Sequence, residues 1–155
     1  MTTYFLDTSA VVKRYLVEIG SPWVIHLTNS AVGNTIIIGE ITRVEAAAAI
    51  AARQRASGGI SLQSRDRSVD FLLWHCDHEY RNVVLTPATL SKAVALTQRR
   101  RLRGYDAVQL AMALLTNEQL VSAGLAALIF ITADADLIAA AQAEGLLAEN
   151  PNQHP

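Results

Sequence analysis

The chain has 155 residues, of which 51% are hydrophobic and 17% are charged, and its formal net charge at neutral pH is −1. This length fits one compact domain with its own core, and so apolar a composition excludes an intrinsically disordered chain. A net charge near zero excludes a generally basic nucleic-acid coat, although it permits a local basic patch.

Short apolar segments alternate with helix-forming segments along the chain. The predicted strands, taken in order, are residues 3–6, 35–38, 83–85, 128–132 and 146–148. The predicted helices are residues 10–17, 22–30, 42–56, 64–80, 88–101, 106–119 and 136–143. Glycine and proline mark the breaks between them, as at Gly58-Gly59 and Pro87.

The predicted strands are continuous apolar runs rather than alternating ones, which is typical of a parallel sheet covered on both faces. We therefore predict an α/β fold, with three α/β/α layers and a central, mainly parallel sheet. There is no internal repeat and no linker. Residues 1–150 are expected to form a single domain and residues 151–155 a loosely attached C-terminal tail.

The chain shows no sign of export or membrane insertion. Its N-terminus, MTTYFLDTSA, lacks the basic start of a signal peptide, and its longest apolar stretch, residues 121–133, is shorter than the roughly 20 residues of a membrane-spanning helix. Cys76 is the only cysteine, which excludes an intrachain disulfide and agrees with a reducing compartment. We expect a cytoplasmic protein without a membrane segment.

Four acidic residues occupy positions where ligand sites form in α/β folds. Asp7 ends the first predicted strand, and Asp134 comes two residues after Thr132, the end of the fourth. Glu45 and Asp106 lie near the N-termini of two predicted helices. Strand C-termini and helix N-termini point to the same edge of such a sheet, so all four carboxylates are expected to meet.

Clustered carboxylates raise one another's pKa unless a cation neutralises them. Ligands that are all oxygen favour hard ions such as Mg²⁺ or Mn²⁺, and these ions can activate a water for phosphodiester hydrolysis. Taken singly, Asp7, Asp106 and Asp134 could each be a helix cap. Glu45 has the weakest structural explanation, because it lies in an alanine-rich stretch where an unpaired buried carboxylate would be costly.

Five segments resemble a known family when they are taken together and in order. They are YFLDTSAVVKRY, ITRVEAAAAI, LRGYDAVQLAMAL, FITADADL and GLLAENP, which run from one end of the chain to the other. In this order they resemble the PIN domain, especially the VapC-like toxins of type II toxin–antitoxin systems. The resemblance implies an endoribonuclease dependent on Mg²⁺ or Mn²⁺, commonly a homodimer, that is neutralised by an antitoxin.

The resemblance also implies roles for the acids and their neighbours. Asp7, Asp106 and Asp134 match metal ligands, directly or through water, and Glu45 matches a ligand or a water-orienting base. Thr8, Ser9 and Thr132 could donate hydrogen bonds to a ligand carboxylate or a metal-bound water, or they could be plain caps. Asp136 could contribute to a second metal, or it could be an exposed residue of the last helix. The alternative function is a PIN-fold module that binds RNA or protein without catalysis.

Two other features bear on binding. The only dense basic cluster, formed by Arg99, Arg100, Arg101 and Arg103, is either a phosphate clamp for RNA or a solvated helix end. The helical region 58–80 is either an antitoxin-binding surface, through Phe71, Leu72 and Trp74, or ordinary core packing. His75 and His78 are interpreted as surface residues rather than a metal site, because no matching ligand cluster accompanies them.

Overall fold

Five strands and seven helices alternate along the chain in a computed structural model that describes residues 1–155. The strands are β1 (Thr3–Leu6), β2 (Thr35–Gly39), β3 (Arg81–Val83), β4 (Ile129–Ile131) and β5 (Leu147–Glu149). The helices are α1 (Thr8–Val11), α2 (Ser21–Leu27), α3 (Glu40–Arg55), α4 (Leu62–His78), α5 (Pro87–Arg99), α6 (Gly104–Ser122) and α7 (Ala135–Ala143). Three 3-10 turns span Val12–Arg14, Ser30–Val32 and Pro151–Gln153.

All five strands are parallel, in the spatial order β3-β2-β1-β4-β5. Each parallel connection needs a crossover, and the helices supply it. The strand order reverses at β1, which lies between β2 and β4, so the topological switch point lies beyond the carboxyl ends of β1 and β4. The predicted α/β architecture with a central parallel sheet is confirmed.

Alternate residues of the strands point to opposite faces of the sheet and divide the core into two clusters. Phe5 and Phe130 lie in one cluster together with side chains of α5, α6 and α7. Leu6 and Ile131 lie in the other together with side chains of α1, α2, α3 and α4. Both faces of the sheet are therefore covered, which explains why its central strands are apolar throughout.

The longest helix, α6, approaches the end of β2 very closely. A side chain at Gly39 would overlap the sulfur atom of Met112, which is fully buried on α6. The contact brings α6 next to α3, which begins directly after Gly39. None of the helices, α6 included, combines the length and the apolar character needed to cross a membrane.

The third strand lies two residues earlier than predicted. Arg81 pairs with Ile37 and Val83 pairs with Gly39, whereas the backbone N–H of Leu85 donates to the Glu40 carboxylate at 2.7 Å. The prediction was wrong because β3 is an edge strand with exposed polar residues. Its position depends on pairing with β2 rather than on an apolar run.

The C-terminal residues pack against α2 instead of forming the expected loose tail. Pro151 is buried, and the His154 ring stacks on Trp23 with a centroid distance of 4.1 Å. Gly20, which has a φ of 84°, has no room for a side chain, because a Cβ atom there would overlap the carbonyl oxygen of Pro151. The composition of the segment is polar, and only this contact reveals its attachment.

Replacing Gly20 by alanine should destabilise the protein more than the same change at Gly33. Both glycines have a positive φ, but nothing lies within 4 Å of a Cβ atom at Gly33. We expect Gly33→Ala to lower the free energy of unfolding by about 1 kcal/mol through backbone strain, and Gly20→Ala by about 3 kcal/mol because overlap with Pro151 is added. Urea denaturation measures both values.

Deletion of residues 151–155 provides the control for this comparison. In the shortened chain the overlap at Gly20 is gone, and the two substitutions should cost about the same. A difference that persists after the deletion would show that Pro151 is not the cause.

Candidate active site

Asp7 is buried at the carboxyl end of β1, with 4% of its surface exposed. Its Oδ1 accepts hydrogen bonds from the hydroxyl of Ser9 at 2.7 Å and from the backbone N–H of Ala10 at 3.0 Å. Its Oδ2 accepts one from the hydroxyl of Thr132 at 2.6 Å. Asp7 therefore caps α1 and at the same time holds the residue that follows β4.

The environment of Asp7 disfavours its ionised form. Burial raises the pKa of Asp7 from 3.8 to about 6, although the hydrogen bonds from Thr132, Ser9 and Ala10 counteract part of this effect. The negative charge of Asp106 raises the pKa further. Two of the predicted site residues are thus close enough to repel each other, and their repulsion is relieved by a proton or a cation.

The loops after β1 and β4 are joined by hydroxyl groups. Besides binding Asp7, the Ser9 oxygen accepts from the backbone N–H of Ala133 at 2.9 Å and lies 3.3 Å from the hydroxyl oxygen of Thr132. The Thr132 hydroxyl in turn accepts from the backbone N–H of Asp134 at 3.2 Å. Ser9 and Thr132 thereby fix the position of Asp134 relative to Asp7.

Asp134 and Asp106 are linked through Arg103. One oxygen of Asp134 caps α7 by accepting from the backbone N–H groups of Asp136 and Leu137, at 2.8 and 3.1 Å. The other oxygen lies 3.7 Å from the guanidinium of Arg103, whose Nε donates to Asp106 at 3.1 Å. The two acids, one capping α7 and the other on α6, therefore face each other across one arginine.

Glu45 projects from α3 and is half-buried and hydrogen-bonded rather than isolated. Its Oε1 accepts from the hydroxyl of Thr8 at 3.1 Å and from the side-chain amide of Gln109 at 2.9 Å. The same amide nitrogen donates to the hydroxyl of Thr42 at 2.8 Å. Gln109 lies on α6, one turn after Asp106, so α6 positions two of the acids.

A cleft of about 450 Å³ opens beside these residues. Its lining combines acidic and basic side chains and contains one hydrophobic residue, Leu102; the others are Thr97, Arg100, Arg101, Arg103, Asp106, Asp134 and Asp136. Asp7 and Glu45 do not line the cleft. Thr132 joins Asp7 to the backbone of Asp134, whereas Gln109 binds Glu45 but no acid of the cleft. All four predicted acids lie at one edge of the sheet, in a network that runs through Asp7, Asp134, Arg103 and Asp106. The network reaches Glu45 by way of Thr8, the residue next to Asp7.

The four arginines of the basic cluster have different surroundings. Arg99 and Arg100 both bind Glu144 directly after α7, and they lower the pKa of this carboxylate to about 2. They tie the end of α5 to the end of α7. Arg101 is exposed on the wall of the cleft and forms no ion pair. No carboxylate competes for Arg101, whereas each of the other three arginines has an acidic partner.

The site lies at the switch point of a parallel sheet, and the comparison with known families agrees with this architecture. The family model described as PIN domain matches residues 4–143. The chain belongs to the PIN-domain family. No curated protein is significantly similar to this PIN domain in sequence.

Several solved structures share the fold. A chain of VapBC2 from Rickettsia felis bound to a promoter DNA fragment is similar with a TM-score of 0.63 and 15% identity, over 96% of this chain and 98% of that chain. A chain of a toxin–antitoxin complex from Klebsiella pneumoniae is similar with a TM-score of 0.60 and 17% identity, over 96% of this chain and 97% of that chain. A chain of FitAB bound to an IR36 DNA fragment is similar with a TM-score of 0.63 and 13% identity, over 96% of this chain and 94% of that chain.

The donors of this PIN domain match a hard cation in their chemistry. Asp7, Asp106, Asp134 and Glu45 offer carboxylate oxygens, which suit Mg²⁺ or Mn²⁺. In the present arrangement no three side chains of histidine, cysteine, aspartate or glutamate are grouped closely enough to hold a metal ion. The guanidinium of Arg103 lies between two of the acids instead and balances their charge.

Two polar residues of the network were missed by the sequence analysis. Gln109 follows Asp106 by three positions and Thr42 precedes Glu45 by three, a spacing that places each pair on one side of its helix. This spacing, read from the sequence, could have indicated that Gln109 and Thr42 lie beside the acids. Gln109 is 3% exposed, and its Oε1 has no hydrogen-bond partner, so the residue is held there by what its amide nitrogen binds.

The helical region 58–80 contributes to the core and also exposes large apolar side chains. Leu72 is fully buried in the core, whereas Phe71 and Trp74 on α4 are 55% and 49% exposed. His75 bonds to the hydroxyl of Tyr15 at 2.9 Å, and His78 stacks on Trp74. The interpretation of both histidines as surface residues holds for His78, which is exposed, but not for His75, whose ring is half-buried beside Tyr80.

Replacing Asp7 by asparagine should change how the stability of the metal-free protein depends on pH. Because the pKa of Asp7 is raised by folding, its favourable contribution is present below pH 3.8 and is lost as the pH rises through about 6. Relative to Asp7→Asn, the wild type should therefore lose about 3 kcal/mol of unfolding free energy over this interval. Chemical denaturation in EDTA at several pH values measures it.

Asp70→Asn is the control for the loss of one carboxylate. Asp70 is exposed and lies on α4, a helix that carries none of the four acids. If Asp7→Asn and the wild type kept a constant difference between pH 4 and pH 7, the burial of an ionisable Asp7 would be contradicted.

Proposed function

We propose that this PIN domain is an endoribonuclease that uses Mg²⁺ or Mn²⁺ to hydrolyse RNA phosphodiester bonds with an activated water. The observation that carries the proposal is the carboxylate of Asp7 at the switch point, where burial raises its pKa to about 6 and the negative charge of Asp106 adds to the rise. A structural cap would not need burial beside a second acid. Two acids placed close together are typical of a site that receives a divalent cation, because the cation neutralises their mutual repulsion.

The proposed cation ligands are Asp7, Asp106 and Asp134, directly or through water. When bound, the cation would lower the pKa of a water and stabilise charge on the phosphate oxygens. Thr132 and Ser9 would keep the Asp7 oxygens in place through the hydrogen bonds described above. Asp136, on the cleft wall, is a candidate further ligand.

Glu45 is the proposed ligand or water-orienting base. Its Oε1 is held by Thr8 and Gln109, whereas its Oε2 forms no hydrogen bond and is available to accept a proton. Fixing one oxygen orients the other without occupying it. Arg101, on the wall of the cleft, would bind the RNA backbone, which positions a substrate without reading its sequence.

We further propose that the protein is the toxin of a toxin–antitoxin pair, acts in the cytoplasm, forms a homodimer and is neutralised by an antitoxin. The resemblance of its sequence motifs supports this proposal. So does the similarity of its fold to chains from VapBC2 and from a toxin–antitoxin complex. Exposed aromatic residues on α4, Phe71 and Trp74, are candidate antitoxin contacts because large exposed apolar side chains mark interaction surfaces.

The nuclease proposal predicts metal-dependent cleavage of RNA that is lost when any of the acids is neutralised. With Mn²⁺ and a panel of structured and single-stranded RNAs, Asp106→Asn and Asp7→Asn should reduce the cleavage rate by about 100-fold or more, since each removes charge stabilisation at the reacting phosphate. Addition of EDTA should abolish cleavage by the wild type. Gel assays with end-labelled RNA measure the rates.

Asp70→Asn is again the matched control and should cleave like the wild type. Cleavage that survives both Asp7→Asn and Asp106→Asn would overturn the proposed site. Absence of cleavage by the wild type on every RNA would favour the alternative, a non-catalytic PIN-fold module that binds RNA or protein.

The toxin proposal predicts that expression of the chain in a bacterial host stops growth because RNA is cleaved. Growth should continue when the expressed protein is Asp106→Asn at the same level. Co-expression of the reading frame next to its gene should restore growth with the wild type. Optical density after induction, with protein levels checked by immunoblot, measures the outcome, and equal growth arrest by both proteins would contradict the nuclease as its cause.

A further inference from the structure

Arg103 occupies the space between two carboxylates of the cleft. It is the residue that precedes α6, and its side chain reaches Asp106 one turn into the helix. Its Nε lies 3.1 Å from Asp106, and its Nη2 lies 3.7 Å from the free oxygen of Asp134. The guanidinium therefore lies between two of the proposed cation ligands, Asp106 on α6 and Asp134 at the cap of α7.

We infer that Arg103 is an exchangeable counter-ion: a divalent cation displaces it from Asp106 and Asp134, and the released guanidinium then binds the phosphate of the RNA. This inference rests on the proposed function for its second half. Its first half concerns only the competition between one arginine and a cation for two carboxylates of this chain.

The contacts of Arg103 are those of an ion pair that opens readily. Its side chain is 83% exposed, and only one of its nitrogens is within hydrogen-bond distance of a carboxylate. Exposed ion pairs of this kind are weak, because water screens the charges and the long side chain must be immobilised. A structural arginine would have a bidentate or buried partner, as Arg99 has with both oxygens of Glu144.

A divalent cation has an advantage that Arg103 lacks, because it carries twice the charge. The carboxylates of Asp106 and Asp134 would hold it, and Arg103 does not contact the third acid of the set, buried Asp7. The repulsion between Asp7 and Asp106 persists with Arg103 in place. A cation held by these acids would relieve the repulsion and would leave Arg103 without a carboxylate partner.

The released guanidinium stays in the cleft, because its backbone is fixed at the start of α6. There it joins Arg101, which has no ion pair, while Arg99 and Arg100 remain bound to Glu144. Cation binding thus adds a second free arginine to the surface that faces the RNA backbone. Binding of the cation and of the phosphate should be coupled, and the coupling is reciprocal.

The first test compares Mn²⁺ binding by wild type, Arg103→Ala and Arg101→Ala in calorimetric titrations. Both variants remove one positive charge from the same cleft, but only Arg103 contacts the acids. We expect Arg103→Ala to bind Mn²⁺ about two- to fivefold more tightly than Arg101→Ala, the range that corresponds to an exposed ion pair. Equal affinities of the two variants would overturn the exchange.

The second test measures binding of a short fluorescein-labelled single-stranded RNA by anisotropy at low temperature, with its integrity checked on a gel. In EDTA, Arg103→Ala should bind like the wild type, whereas Arg101→Ala should bind more weakly. In Mn²⁺ both variants should bind about threefold or more weakly. A loss at Arg103 that is equal in EDTA and Mn²⁺, or absent in both, would overturn the phosphate role.

The two tests separate this inference from the proposed function. If no protein, wild type included, binds or cleaves RNA, the proposed function and the phosphate role both fail. The calorimetric comparison still decides whether Arg103 and a cation exclude each other. We expect the three proteins to have equal melting temperatures, because both arginines are exposed. Equal temperatures would exclude misfolding as the cause of any difference in binding.

Discussion

The buried carboxylate of Asp7 is the constraint on which the rest of the site depends. Because β1 is the central strand, the residue at its carboxyl end is enclosed by the loops that follow β1 and β4. A carboxylate enclosed in this way must be hydrogen-bonded. Ser9, Thr132 and the N–H of Ala10 provide those bonds, and in doing so they determine the start of α1 and the position of the loop before α7. Fold and chemistry therefore rest on the same hydrogen bonds.

The two helical layers meet only beyond the ends of the strands. Glu45 is on α3, which covers one face of the sheet, and Gln109 is on α6, which covers the other. Inside the sheet the strands separate these layers, but past Gly39 nothing does, and the amide of Gln109 reaches the carboxylate of Glu45 at 2.9 Å. The absence of a side chain at Gly39 permits this approach. An edge of this kind is where α/β folds can combine groups from both layers into one site.

The parts that could be predicted from the sequence are those with a local cause. The central strands are apolar because both of their faces are buried, and the acids stand at recognisable positions relative to strand ends and helix starts. β3 was predicted two residues too late because Arg81 and Asn82 give an edge strand no apolar pattern. The bridge from Arg103 to Asp134 and the contact of Pro151 with Gly20 join residues remote in the sequence. No periodicity or composition marks such contacts, since they depend on how α6, α7 and the C-terminus are placed in space.

The pairing of β1 with β4 also determines when the site can exist during synthesis. Asp7 is synthesised 125 residues before Thr132, which binds one of its two carboxylate oxygens, and one edge of β1 remains open until residues 129–131 pair with it. A ribosome-bound chain that has not yet exposed these residues lacks both the strand that pairs with this edge of β1 and the hydroxyl group that encloses Asp7. The acids from α6 and α7 are likewise distributed over the last third of the chain. The site at this edge therefore cannot assemble before residue 134 has been synthesised, and a product that is terminated earlier lacks it.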